Sequence, residues 1–395
     1  MRPHDAAAAS TAAAEHSARL RERVTAEINA AGGWLSFERF MDLALYAPGL
    51  GYYSGGAEKL GADGDFTTAP EVSRLFGACV AAQCAEVLRS LRTGSVLEVG
   101  AGSGRLAADL LARLETLNQL PEHYWILEVS ADLRERQRGH LEQRLPRLVH
   151  RVQWLDRPPE ESFDGVVLAN EVLDALPVAR FRWHPNAVEE LGVEIRGGAR
   201  GQEFVWGARP AHAAMLEVCR ELSAVSGPWN DGYVSEYCPR LSAWTCAVTR
   251  ALRRGAVLWF DYGLPRAQYY LPERHDGTLV CHFRHRLSHD PFVNLGLQDI
   301  SAWVDFTRVA EASREAGFEL AGFTTQAHFL AGLKIDQEMR LAAGGDENRF
   351  ARLANQARQL MMPGEMGERF KAMVWLREIE TPLSGFALLD LRHSL

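Results

Sequence analysis

The sequence predicts an α/β fold: a doubly wound, mostly parallel sheet of seven strands, with an N-terminal helical cap and an inserted lid. Three features lead there. From about Ser95 onward, short apolar runs alternate with amphipathic segments of helical period. Three alternating glycines, Gly100, Gly102 and Gly104, directly follow the first apolar run. A long insertion, 178–250, separates the fourth such run from the fifth.

The elements follow in order. "SVLEVG" is the first strand, and "GRLAADLLARLETL" a helix with Leu106, Leu110, Leu111 and Leu114 on one stripe. "HYWILEVS" is the second strand, and Ser130 caps the charged helix "ADLRERQRGHLEQRL". "HRVQWL" and "DGVVLAN" are the third and fourth strands. Within the insertion, "GVEIRGGARGQEFVW" reads as a hairpin turning at Gly197 and Gly198. "GAVLWFDYG" is a buried fifth strand, "FTRVAEASREAG" a helix ending at Gly317, and "FELAGFTT" the sixth strand. "RFKAMVWLRE" suits a seventh, and "GFALLDL" one more. The stretch before Ser95 is mostly helical apart from a glycine-rich loop, 49–64. On this reading the chain divides into a cap (1–93), a first part of the core (94–177), a lid (178–250) and a second part of the core (251–395).

Composition narrows the function. A chain of 395 residues that is 47% hydrophobic can bury a sizeable core. A net charge of -8 argues against a nucleic-acid backbone as the main partner. No apolar run approaches the roughly 18 residues of a membrane span. The alanine-rich start has no apolar segment ahead of a cleavage site, and Asp5 and Glu15 speak against a transit peptide, so a cytoplasmic location is expected. The six cysteines lack zinc-ligand rhythm and read as buried free thiols. His282, His285 and His289 lie close together without a completing carboxylate or cysteine, so no metal is expected.

A strand, a glycine turn and a helix N-terminus cradle a polar ligand, because a bare backbone lets it approach the amides. A phosphate-binding loop of the Walker type would need Gly-Lys-Ser/Thr, which is missing here. A dinucleotide fingerprint would need a third small residue where Arg105 stands. The order Glu98, Gly100, Gly102, Gly104 resembles the first motif of class I S-adenosylmethionine-dependent methyltransferases. That resemblance implies S-adenosylmethionine as cofactor, with its methionine part on the loop. It also implies an acidic residue for the ribose hydroxyls at the end of the second strand, where Glu128 stands.

A longer resemblance covers nearly the whole chain. "GYYSGGAEKLGADGDFTTAPEVSRLFG" and "ANEVLDALPVARF" are similar to signatures of the MidA family. Tyr52, Tyr53, Gly64, Asp65, Phe66, Pro70, Glu71 and Ser73 match the first; Asn170, Glu171, Asp174 and Pro177 match the second. "DYG", "VDFT" and "MGERFK" follow in the family's order. Ala101 and Ser103 depart from the family's usual loop, and Val172 and Leu173 replace two phenylalanines. The resemblance implies the Rossmann-like class I methyltransferase fold, and a methyl transfer to arginine on a protein substrate. Methylation of a small molecule, or cofactor binding without turnover by an assembly factor, are the rival readings.

A guanidinium stays protonated up to about pH 12, so an arginine acceptor benefits from carboxylates that orient it as its proton leaves. The candidates are Asp65, Glu71, Glu171 and Glu236, with Asn170 assigned to the cofactor beside Glu98, Gly100, Gly102, Gly104 and Glu128. Each has a plainer role open to it. Asp65 could cap a turn, Glu71 favour a helix dipole, Asn170 and Glu171 cap the next element, and Glu236 pair with an arginine. Asp261, at the end of the fifth strand, could be structural, and Tyr52 and Tyr53 could be core anchors.

Overall fold

A computed structural model describes residues 3–55, 68–198 and 201–395. Helix α1 (Pro3–Ala30) leads into strand β1 (Trp34–Ser36) and helix α2 (Phe37–Tyr46). Helices α3 (Ala69–Val72) and α4 (Arg74–Leu91) then reach the central sheet. There β2 (Ser95–Val99), α5 (Arg105–Thr116), β3 (Tyr124–Leu127), α6 (Ala131–Arg144), β4 (Val152–Leu155) and β5 (Phe163–Asn170) alternate. The insertion supplies β6 (Ala179–His184), β7 (Ala187–Gly198), β8 (Gly201–Pro210), α7 (Ala213–Ser226), β9 (Tyr233–Tyr237) and α8 (Leu241–Thr249). Strand β10 (Leu252–Leu264) returns to the sheet. Helix α9 (Arg266–Tyr269) and strands β11 (Val280–Phe283), β12 (Arg286–Ser288), β13 (Asp299–Ser301) and β14 (Val304–Asp305) follow. The last elements are α10 (Phe306–Glu315), β15 (Glu319–Thr325), α11 (Gln326–Gly332), α12 (Ile335–Ala343), α13 (Glu347–Met361) and β16 (Phe370–Arg377).

The central sheet runs β15-β16-β10-β5-β2-β3-β4. All of its neighbours pair in parallel except at β16, which runs against both β10 and β15. Helices cover both faces because both are apolar. Val96, Val166 and Leu258 point to one core, and Leu97, Val167 and Val257 to the other. On α5 the predicted stripe Leu106, Leu110, Leu111 and Leu114 is buried against the first of these. The Ser130 hydroxyl accepts the Leu133 amide and starts α6 as expected.

Two expectations change. The sheet has eight strands rather than seven, because the two-residue β14 pairs with Gly263 and Leu264 at the end of β10. "GFALLDL" is no strand; it opens in a short 3-10 turn, Ser384–Phe386. Side chains of α4 take the donors a sheet edge would need: Gln83 accepts the Gly385 amide and Glu86 the Ser384 amide. That leaves the segment held to a helix instead of a strand.

Over the carboxyl ends of the parallel strands lies a second layer. Strands β1, β7, β6 and β9, with β8 on β7, make a five-stranded antiparallel sheet. Strand β1 comes from the N-terminal segment and pairs Leu35 with Val193 of the insertion. The predicted hairpin forms as β7–β8, but Gly197 and Gly198 are not its turn: they pair with Gln202 and Gly201 as the last rungs of the ladder. Segment 279–302 joins the same layer: Leu279 and Ile300 pack with Phe37, Phe40, Val193 and Phe204 in one apolar core. Each fully buried phenylalanine there is worth roughly 1.5–3 kcal/mol of transfer free energy. Three segments distant in sequence therefore depend on one another for burial.

Candidate active site

Beneath this layer, at the carboxyl ends of β2, β3 and β5, lies a cavity of about 640 Å³. Its floor is the glycine turn. Gly100, Gly102 and Gly104 have φ of +67°, +53° and +80°, a region that strains residues with a Cβ. A Cβ on Gly100 would lie 2.9 Å from a Val172 methyl. The turn is tied down from both sides. The Gly100 amide donates to the Leu127 carbonyl at 3.0 Å, and Gln137 on α6 donates to the Gly102 carbonyl at 3.0 Å.

Glu98 is buried inside β2 and accepts a 2.6 Å hydrogen bond from the Tyr124 hydroxyl. Burial pushes its carboxyl up to about 7, against the pull of that hydrogen bond. Glu128 stands at the end of β3 and is held by the Ser130 amide (2.9 Å) and by Gln137 (3.2 Å). Gln137 thus grips the glycine turn and the acidic residue together, a contact that residue spacing alone did not reveal.

Asn170 and Glu171 end β5. The Asn170 side-chain nitrogen donates to Glu171 at 2.9 Å, while its amide oxygen, Oδ1, is buried without a partner. Glu171 has φ +55°, rare for a residue with a side chain and found where structure holds a group for function. Capping does not explain it: the Leu173 and Asp174 amides donate to Asp261 on β10, at 2.9 and 3.3 Å. Asp261 is therefore structural, while Glu171 lines the cavity and accepts the Ala69 amide at the start of α3 at 3.3 Å. Burial, then repulsion from Asp174, raises its carboxyl to about 8.

The remaining candidates separate. Asp65 lies outside the described residues. Glu71 is committed to the glycine turn. It accepts the Ser103 hydroxyl at 2.5 Å and pairs with Arg105 at 2.8 Å, so it clamps the cofactor loop and is not free to face an acceptor. Glu236 is fully buried on β9, outside the lining of the cofactor cavity, where Tyr269 and the amide and hydroxyl of Thr278 donate to it and Arg180 pairs with it at 3.9 Å. It acts as a buried anchor, corrected from the expected acceptor role; its hydrogen-bond donors arrive from segments far away in sequence.

Two carboxylates missing from the expected set appear at a second cavity of about 760 Å³, which shares Glu171 with the first. Asp174 is buried there with Oδ1 unpartnered, and burial plus the charge of Asp299 lifts it to about 7. Asp299 on β13 accepts hydrogen bonds from Tyr53 at 2.9 Å and Ser301 at 2.5 Å. Tyr53 is thus a positioning residue. Its neighbour Tyr52 is a core anchor, 1% exposed.

Raised carboxyls make stability depend on pH. Glu98, Glu171 and Asp174 hold protons more tightly in the folded than in the unfolded chain. Their stabilising contribution is full below the ordinary carboxylate range and is lost as pH rises through 7 to 8. The ligand-free protein should melt at a lower temperature at pH 8 than at pH 5. Glu171→Gln should melt above the parent at pH 8 and level with it at pH 5. Parallel melting curves for the two proteins across that range would show that Glu171 is an ordinary exposed carboxylate.

The residues fit S-adenosylmethionine. The first cavity lies within the volume range of small-molecule sites, roughly 300–1,000 Å³. Backbone amides at the glycine turn, the Glu128 carboxylate and the orphaned Asn170 oxygen supply the acceptors and donors such a ligand needs. Arg240, paired with Glu38 at 2.5 Å and Asp42 at 2.9 Å, ties α2 to the start of α8 at the cavity rim.

Comparison with known proteins agrees. The family described as "Putative S-adenosyl-L-methionine-dependent methyltransferase" matches residues 79–324. A crystal structure of a Burkholderia thailandensis protein bound to S-adenosyl-homocysteine is 42% identical. It superposes with a TM-score of 0.91 over 97% of this chain and 98% of that one. Relatives named protein arginine methyltransferase NDUFAF7, mitochondrial, are 29% identical in Danio rerio and 28% in Homo sapiens. Each match covers 86% of this chain, and 83% and 79% of the respective relatives. With the glycine turn, the strand-end acid and this family match in agreement, the chain belongs to the MidA family of class I S-adenosylmethionine-dependent methyltransferases.

Proposed function

We propose that the protein methylates arginine on a protein substrate. The observation that carries this reading is the second cavity. It shares Glu171 with the cofactor cavity and adds Asp174, Asp276 and Asp299, so a cation entering it meets four carboxylates beside the guanidinium groups of Arg180, Arg274 and Arg369. Burial, and for Glu171 and Asp174 the repulsion of a neighbouring carboxylate, makes Glu171, Asp174 and Asp299 hold protons above their usual range. An arriving guanidinium would relieve that repulsion and restore their charge. The relatives named protein arginine methyltransferase support the same acceptor.

S-adenosylmethionine supplies the methyl group from its sulfonium. The chain's own residues align and deprotonate the acceptor. Glu171, reaching both cavities, accepts a hydrogen bond from the attacking nitrogen and takes its proton as the new N–C bond forms. Asp174 and Asp299 hold the rest of the guanidinium, and Tyr53 fixes Asp299. The layer built from the cap and the insertion keeps water from the transfer.

The protein with radiolabelled S-adenosylmethionine and a bacterial lysate should leave label in protein that protease digestion releases as methylarginine. Label confined to small molecules, or none at all, would overturn the reading. In a peptide assay, Asp299→Asn should raise KM for the acceptor about tenfold, the scale of one charge-assisted hydrogen bond, with S-adenosylhomocysteine affinity unchanged. Loss of cofactor affinity instead would assign Asp299 to the first cavity.

A further inference from the structure

On the far side of the cofactor loop lies a third cavity, of about 290 Å³, that methyl transfer does not use. Five guanidinium groups line it: Arg74, Arg105, Arg144, Arg349 and Arg352. Two carboxylates accompany them. Glu71 takes Arg105 at 2.8 Å, and Asp109 takes Arg144 at 3.0 Å. Among the described residues, no carboxylate lies within ion-pair distance of Arg74, Arg349 or Arg352. The cleft is therefore left with an excess of three positive charges in a protein whose net charge is -8.

Four separate elements aim these side chains at one hollow. Arg74 starts the 18-residue helix α4, whose dipole adds partial positive charge at the same end. Arg349 and Arg352 lie on consecutive turns of α13, and Arg105 and Arg144 come from α5 and the end of α6. Like charges gathered this way repel, and an anion that pairs with them removes the penalty. Planar guanidinium forks bind phosphoryl oxygens two at a time, which favours phosphate over a single carboxylate.

We propose that this cleft is a binding site for a phosphoryl group, one carrying two to three negative charges. The site would also communicate with the cofactor loop. Glu71 lines both hollows, with one oxygen on Ser103 of the glycine turn and the other on Arg105 of the cleft. An anion that engages Arg105 changes the partner of the group holding the turn.

Calorimetry on the full-length protein at constant ionic strength tests this, with pyrophosphate, adenosine diphosphate and citrate as probes. Pyrophosphate should bind, and the double substitution Arg349→Gln/Arg352→Gln should weaken it at least tenfold. Both positions are exposed on α13 and away from the cofactor cavity, so the variant should bind S-adenosylhomocysteine as the parent does. Adenosine diphosphate binding tenfold tighter than pyrophosphate would support the phosphoryl site and identify a nucleotide as its carrier; equal affinity would support it with a free anion. Citrate binding as tightly as pyrophosphate would overturn the phosphoryl preference. No pyrophosphate binding, or binding that the double variant leaves unchanged, would overturn the site.

Discussion

Gly102→Val is expected to abolish S-adenosylhomocysteine binding while the protein stays folded. Gly102 lines the cofactor cavity and sits at φ +53°, where a β-branched residue is a steric outlier. The substitution acts twice. It fills space on the cavity floor, and it pulls the turn toward negative φ, which would draw the Gly102 carbonyl off Gln137. Gln137 also holds Glu128, so the two halves of the site should fail together. Calorimetry should show affinity lower by at least about 10²-fold, while circular dichroism keeps the parent's helix content; strained backbone of this kind costs only about 1–3 kcal/mol. A folded valine variant that binds normally would mean that the cofactor lies elsewhere.

Glu171→Gln should lower methyl transfer by about 10²-fold or more, the scale of a positioned acid–base group. The amide keeps the shape and an oxygen that can accept from Ala69 and Asn170, but it cannot take the acceptor's proton. Loss of an interaction made in the transition state should appear in kcat, with S-adenosylhomocysteine affinity changed less than tenfold. The opposite split, weak cofactor binding with full turnover at saturation, would make Glu171 a cofactor ligand. Full activity would move the acceptor site away from the junction of the two cavities.

Much of the site was legible because it is local. Glu98 lies inside a strand whose apolar pattern is plain, the glycine turn and Glu128 follow the ends of such strands, and the chain itself sets their spacing. The acceptor side was not legible in the same way. Asp174 stood within a quoted motif, yet nothing in its neighbours marked it as facing a second cavity. Asp299 carried no signal at all. It reaches the site because β13 packs on α2 and Tyr53 comes to meet it. Glu71 and Glu236 were misjudged for the same reason: a carboxylate's role depends on what faces it, and Arg105, Tyr269 and Thr278 face them only in the folded chain.

The sequence by itself determined the parallel core, the cofactor loop and the class of ligand, since periodicity, glycine conformation and strand-end acids are properties of short segments. Tertiary structure decided which carboxylates meet the acceptor, and that β1, the insertion and segment 279–302 form a single layer above the site. None of those three pieces can bury its apolar face alone, so their association is set by mutual burial across more than one chain reversal, a relation no local pattern encodes.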